Sequence, residues 1–206
     1  MVAVAFSPLG LGGGILYVPI MHYMLDWEIK EAIVASLTLV LMVSLGSSLA
    51  HSKSGFAEHQ VAKWGRIAAV PSATIGVLLS GVLLALVGDI GIKILAAIVI
   101  TFVLERTIRK PSSHIEEYTG DKLLEKRNQY LAGSSVAGIA AGILGIGGGA
   151  ILVTLNRSIL KMDAKRAAGT SYLVAATIVP VALLSHLVIN QNLDVIVDNS
   201  GIIAMI

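Results

Sequence analysis

Long apolar runs without a charged residue dominate this chain. Five of them contain no Asp, Glu, Lys or Arg: residues 1–25, 32–52, 67–88, 129–156 and 167–193. Each is at least as long as the roughly 20 residues that an α-helix needs to cross a hydrocarbon core about 30 Å thick. A sixth run, Ile90–Leu104, is shorter and contains Lys93. The pattern predicts an all-α, polytopic helical membrane protein.

The chain also carries an internal duplication. GLGGG at Gly10–Gly14 recurs as GIGGG at Gly145–Gly149, an offset of 135 positions. The same offset, without a gap, aligns five further identical pairs: Val18 with Val153, Lys30 with Lys165, Ala32 with Ala167, Ser36 with Ser171, and His51 with His186. Duplications of this kind build membrane transporters from two related halves around a central site.

The two predicted halves differ in length. Residues 1–104 form the first repeat, a Gly-broken segment followed by three spans, and residues 129–206 form the second, which starts with its own Gly-broken segment. A polar linker, residues 105–128, separates them and is predicted to be cytoplasmic, with a short helix at Asp121–Arg127. The later spans of the first repeat have no full counterpart before Ile206, so the second repeat is expected to be incomplete at its C-terminus.

The basic residues bear on topology. Thirteen of the 15 Lys and Arg residues lie within residues 53–66, the 105–128 linker and residues 157–166. Short cytoplasmic loops are enriched in these residues. All three regions can be cytoplasmic only if the second Gly-rich segment enters and leaves the membrane on one side. If the first does so from the outside, the repeats are inverted, which we favour. Simple crossing of every segment is the alternative.

Composition narrows the chemistry. Only 14% of the residues are charged, against about 25% in soluble domains. The absence of cysteine excludes disulfides, thiolate metal sites and a cysteine nucleophile, and no metal or cofactor is expected. The net charge of +2 reflects the basic residues of the loops. The sequence shows no basic surface interleaved with aromatic residues, so no nucleic acid partner is expected.

Three consecutive glycines inside an apolar segment predict a broken helix, because each Gly costs about 1 kcal/mol relative to Ala in a helix interior. Membranes tolerate broken backbone only where it is buried in protein or lines a cavity. A helix that restarts after the break directs unpaired N–H groups and its positive dipole end at that cavity, which favours an anion. We therefore predict that a small anion binds at Gly12, Gly13 and Gly14 and at Gly147, Gly148 and Gly149. Close helix packing, for which Gly138-x-x-x-Gly142 is a further candidate, is the alternative.

Polar residues of the following spans are candidates to complete this site. Ser36 and Ser171 are equivalent positions, Thr170 adjoins Ser171, and such hydroxyls can donate to an oxyanion. Alternatively, each bonds only to a carbonyl of its own helix. His186 lies among apolar residues and is a candidate to pair with the anion or relay protons. His51 is expected only to complement a helix end at the membrane interface.

The glycine motifs resemble those of the sulfite exporter TauE/SafE family, multi-span transporters with a duplicated Gly-rich motif. The likeness rests on GLGGGILYVP (Gly10–Pro19), GILGIGGGAILV (Gly142–Val153) and HSKSGFAEHQVAKW (His51–Trp64). It implies transport of sulfite, sulfonates or related organosulfur anions across the cytoplasmic membrane without ATP. The two copies differ, since Thr154 stands where the first copy has Pro19. One copy alone is therefore a candidate to shape the ligand pocket.

We predict a multi-pass secondary transporter of a small anion in the cell membrane. It is not expected to be an enzyme, its surroundings are the lipid bilayer, and a homo-oligomer is left open. An intramembrane Ser/His hydrolase is the runner-up. Each Ser–His pair is 15 residues apart on one helix, about 22 Å at 1.5 Å per residue, so a hydrolase needs contact across the halves, such as Ser36 with His186. A non-transporting scaffold is the third interpretation.

Overall fold

The computed structural model describes residues 14–108, 118 and 120–190, and every regular element in that part of the chain is a helix. The helices are α1 (Gly14–Met24), α2 (Ile29–Lys53), α3 (His59–Val87), α4 (Asp89–Ile108), α5 (Asp121–Glu125), α6 (Arg127–Leu144), α7 (Gly149–Ser158) and α8 (Ala164–Asn190). The predicted site residues Gly12 and Gly13, and the end of the second repeat, lie outside the described residues.

Three of these helices, α2, α3 and α8, are long and apolar enough to cross a membrane. The prediction of an all-α, polytopic membrane protein is confirmed. Helix α4 has 20 residues but is not one of the three, because charged residues interrupt its apolar run: Asp89, Lys93, Glu105 and Arg106.

Small residues join α3 and α6, the two helices in most extensive contact among the described ones. A Cβ atom on Gly138 would collide with the carbonyl oxygen of Ala69, and one on Gly142 with that of Ala73. Glycines allow helix backbones to approach this closely inside a membrane. The packing predicted as an alternative role for glycine is therefore present at Gly138-x-x-x-Gly142.

Helices α6 and α7 form a hairpin that starts and finishes at one end of the bundle. The side chain of Leu155 on α7 lies beside Gly133 on α6, and the Asn156 Nδ2 group donates to the Ala167 carbonyl at the start of α8 at 2.9 Å. The loop before α3 lies at this end too, because the Glu58 N–H group donates to Thr170 Oγ1 at 3.0 Å. We call it the basic end, after the residues of the described chain that surround it: Lys53, Lys63, Arg66, Arg157, Lys161, Lys165 and Arg166.

Helices α2 and α8, which the sequence duplication matches, run in opposite directions. Helix α2 begins at Ile29 and α8 at Ala164, which keeps the offset of the sequence duplication. Near the basic end the ring of His51 stacks on Tyr172 at 5.7 Å, so the end of α2 packs against the start of α8. An inverted repeat requires this arrangement. Because the residues before Gly14 lie outside the described chain, the inverted repeat stays a prediction.

Candidate functional site

The second glycine motif interrupts the helix, as the sequence predicts. Helix α6 ends at Leu144 and α7 begins at Gly149. Between them Gly145, Gly147 and Gly148 have φ angles of 69°, 69° and 70°. A residue with a Cβ atom pays about 1–2 kcal/mol to adopt this left-handed backbone, so glycine is favoured at all three positions. We call residues 145–148 the break.

The first N–H groups of α7 have no hydrogen-bond acceptor within that helix. Its first internal hydrogen bond joins the Leu152 N–H group to the Gly148 carbonyl at 3.0 Å. The N–H groups of Gly149, Ala150 and Ile151 therefore have no acceptor within α7. Together with the positive end of the α7 dipole they make this point of the bundle electropositive.

Two predicted site residues bind main-chain carbonyls at or just before the break. The Ser36 hydroxyl donates to the Gly145 carbonyl at 2.8 Å. The Nε2 atom of His186 lies 2.8 Å from the Gly142 carbonyl, which accepts only, so Nε2 carries the proton in this contact. Both side chains are buried, and a buried carbonyl without a partner costs about 1–3 kcal/mol. Through these atoms Ser36 and His186 stabilise the broken backbone.

Gly14, the last residue of the first glycine motif, meets the second motif. A Cβ atom on Gly14 would collide with the Ile146 carbonyl and crowd the Val40 side chain. A Cβ atom on Gly147 would crowd Val40 as well. On Gly148 it would lie 3.1 Å from the Ala137 carbonyl. The structure thus brings Gly14, Ser36, Gly147, Gly148, Gly149 and His186 to one closely packed region around the break.

Thr170 and Ser171 lie elsewhere, nearer the basic end. Thr170 Oγ1 accepts the Glu58 N–H group, and the Ser171 hydroxyl donates to the Ala168 carbonyl of its own helix at 2.8 Å. Val179, which adjoins Gly147, is eight residues beyond Ser171, about 12 Å along α8. Because α8 runs opposite to α2, Ser171 does not reach the break as its sequence equivalent Ser36 does.

A cavity of about 240 Å³ reaches the break from the side of α1 and α4. Its walls are mostly apolar, Leu144 and Ile146 line it beside the break, and three polar side chains line it nearer the α1–α2 loop: His22, Tyr23 and Lys93. None of the predicted site residues that the structure describes is among its lining residues. The cavity was not predicted from the sequence.

One signal for the cavity was present in the sequence. Lys93 is the only charged residue in the run Ile90–Leu104, and a charge inside a membrane-spanning apolar run is by default a functional-site hypothesis. His22 gave no such signal, because it lies near the end of a segment where a histidine commonly sits at the membrane interface. Their proximity follows only from the arrangement of α1 and α4 around the cavity.

Membrane-spanning helices, a helix hairpin broken at glycines and a cavity that reaches the break are the architecture of a membrane transport protein. Over its whole length, residues 1–206, the chain matches the family model described as "Sulfite exporter TauE/SafE", and it belongs to that family. The resemblance seen in the glycine motifs is confirmed. Family membership makes this protein a membrane transporter of sulfur anions. Comparisons with curated proteins and with solved structures gave no match.

Proposed function

We propose that this protein is a secondary transporter that carries sulfite, a sulfonate or a related organosulfur anion across the cytoplasmic membrane. The observation that carries the proposal is the contact between Gly14 and the break at Ile146. The α7 amides without a partner in their own helix begin at Gly149, three residues beyond this contact. An oxyanion bound there would accept hydrogen bonds from backbone N–H groups and gain from the helix dipole.

In this proposal the glycines supply the binding groups and the side chains supply the frame. Gly12, Gly13 and Gly14 would approach the anion from the first half, and Gly147, Gly148 and Gly149 from the second. Ser36 and His186 bind the Gly145 and Gly142 carbonyls, which would otherwise repel an anion nearby. Thr170 would act by joining α8 to the α2–α3 loop through the Glu58 N–H group, while the Ser171 hydroxyl stays within α8.

Alternating access would come from rocking of one half against the other. The antiparallel contact between α2 and α8 is one surface for that motion, and the ion pair of Arg166 with Glu58, at 2.8 Å, fastens it at the basic end. Residues 32–52, 67–88 and 167–189 of the spans contain no Asp or Glu. Proton coupling, if present, would therefore pass through a histidine rather than a carboxylate, and uniport is the other mode.

The hydrolase alternative receives no support from the contacts around the break. A serine nucleophile needs a base within hydrogen-bond reach. The Ser36 hydroxyl instead donates to the Gly145 carbonyl, and His186 Nε2 is bonded to the Gly142 carbonyl. Both groups required by that alternative are engaged with main-chain carbonyls.

Flux measurements in proteoliposomes test the proposal. The purified protein is expected to show saturable flux of sulfite or methanesulfonate, with competition between them. Gly148→Ala should reduce that flux at least about tenfold, because strain at φ 70° displaces the first turn of α7. Gly46→Ala is the matched control, since a Cβ atom there meets nothing within 4 Å, and it should leave flux unchanged.

Two outcomes would contradict the proposal. The first is a folded wild-type protein without saturable flux of any sulfur anion. The second concerns the site alone: if correctly folded Gly148→Ala and Gly46→Ala proteins carry sulfite equally well, the break does not bind the anion.

A further inference from the structure

The cavity between α1 and α4 has one charged end and a long apolar wall. Lys93 and His22 line it near the α1–α2 loop, while Val18, Ile100 and Ile146 continue its wall to the break. Its volume is about 240 Å³. That space exceeds what a bare oxyanion fills.

Lys93 is a cation without an acidic partner among the described residues, since no described carboxylate lies within 4.0 Å of its Nζ atom. Its Nζ atom lies 5.8 Å from the centroid of the Tyr23 ring. Asp89, one turn earlier on α4, lines a separate open pocket with Glu28 and Lys30. A charge beside apolar surface is costly unless it is paired, so Lys93 favours an anion in the cavity.

His22 is oriented by a local bond. Its Nδ1 atom lies 2.8 Å from the Trp27 carbonyl, and because a carbonyl only accepts, Nδ1 carries the proton. The main-chain N–H group of Trp27 in turn donates to the Met21 carbonyl at 3.1 Å. The loop between α1 and α2 thus holds the imidazole at the polar end of the cavity, which Lys93 also lines.

We propose that this cavity is a binding site for an organic anion with an apolar body, such as an alkanesulfonate. The anionic head lies at Lys93, and the chain extends along Val18 and Ile100 toward Ile146. The inference rests on the proposed function, because the cavity would be the vestibule through which the anion reaches or leaves the break. Bare sulfite has no apolar surface to bury here, whereas each methylene of an alkyl chain contributes to binding.

Calorimetry on the full chain in nanodiscs of zwitterionic lipid tests the site. The ligands are sulfite and the methane-, butane- and hexanesulfonates. Affinity is expected to rise by about fourfold per methylene, the factor that corresponds to about 0.8 kcal/mol of buried CH₂. The rise should stop once the chain reaches the break. Affinity that does not depend on chain length would overturn the proposal.

Two variants assign the binding to this cavity. Lys93→Met keeps a long unbranched side chain but removes its charge, and should weaken hexanesulfonate binding by about tenfold or more. Its matched control is Lys30→Met, the same change at the same end of the bundle but outside the cavity, which should change affinity less than about twofold. Ala96→Leu fills the cavity without altering charge, and should remove the preference for long chains while leaving methanesulfonate unaffected.

The remaining outcomes separate this inference from its rivals. If Lys93→Met and Lys30→Met weaken binding equally, Lys93 is not the receptor. If alkanesulfonates fail to bind in zwitterionic nanodiscs while the protein retains anionic lipid through Lys93, the cavity holds a lipid and the proposal is wrong. If the wild type carries sulfite but binds alkanesulfonates of every chain length equally well, the cavity site is wrong and the transporter proposal stands. If binding depends on chain length but no sulfur anion is carried, the transporter proposal is wrong and the cavity site stands.

Discussion

Two groups of glycines lie within one short stretch of this chain and serve different physical purposes. Gly138 and Gly142 lie inside α6, where an added Cβ atom would collide with backbone carbonyls of α3. Gly145, Gly147 and Gly148 form the break, where the backbone itself is left-handed. The first group is glycine because of its neighbours, and the second mainly because of its own φ angle. Glycine content alone therefore does not identify the site.

The two groups are also mechanically connected. Gly142 packs against Ala73 of α3, and its carbonyl accepts the His186 imidazole just before the break. The depth at which α6 stops is thus set by its packing on α3 and by its bond to α8. A substitution in the packing group should therefore affect the whole bundle, whereas one in the break should affect the site more than the fold.

The largest effect is expected for Gly142→Ala. The new methyl group would meet main-chain atoms of α3, which cannot rotate away as a side chain can, so we expect a loss of about 3 kcal/mol or more in the free energy of unfolding. Thermal unfolding in detergent measures it, with Gly46→Ala as the control. Gly46→Ala should be neutral or slightly stabilising, because Ala favours a helix by about 1 kcal/mol. Similar stability of the two variants would show that α3 and α6 do not depend on this contact.

Gly148→Ala should have a smaller effect on stability, about 1–2 kcal/mol, the cost of a left-handed alanine. Its effect on flux should nevertheless exceed that of any packing substitution of equal stability loss. Plotting flux against unfolding midpoint for break and packing variants makes the comparison direct. If both groups fall on one line, the break has no role beyond stability.

Ser36→Ala tests the frame of the break. It removes the donor to the buried Gly145 carbonyl, and should lower the free energy of unfolding by about 1–2 kcal/mol. Ser44→Ala is the matched control on the same helix, because Ser44 is also buried but donates only to the Leu41 carbonyl of α2. Its loss should be at least about 1 kcal/mol smaller. Denaturant titration of both variants measures the two losses. Equal losses would show that Ser36 does not stabilise the break.

The smallest effect is expected at the basic end, away from both glycine groups. Glu58→Gln removes the ion pair with Arg166, and each of the two side chains is 31% exposed. Such pairs contribute about 0–1 kcal/mol and are screened by salt. Unfolding midpoints at low and high salt should therefore differ less for this variant than for the wild type. A loss comparable to that of Gly142→Ala would mean that the basic end, not the glycine interface, holds the two halves together.

Local features of the sequence are enough to predict the class of protein, the approximate helix positions and the break. Charge-free runs of bilayer length and three adjacent glycines act through local chain properties, so they can be read without knowing any distant contact. The short helix expected at Asp121–Arg127 appears as Asp121–Glu125 for the same reason. The glycine motifs were also specific enough to indicate the family.

Which polar residues meet depends instead on how the helices pack. Because α8 packs antiparallel to α2, the equivalent residues Ser36 and Ser171 lie in different regions, and only Ser36 reaches the break. The cavity at Lys93 exists because other helices hold α1 and α4 on either side of it, and neither helix carries a signal for that arrangement. Local preferences place a helix along the chain, but the direction in which it packs depends on contacts between residues far apart in sequence.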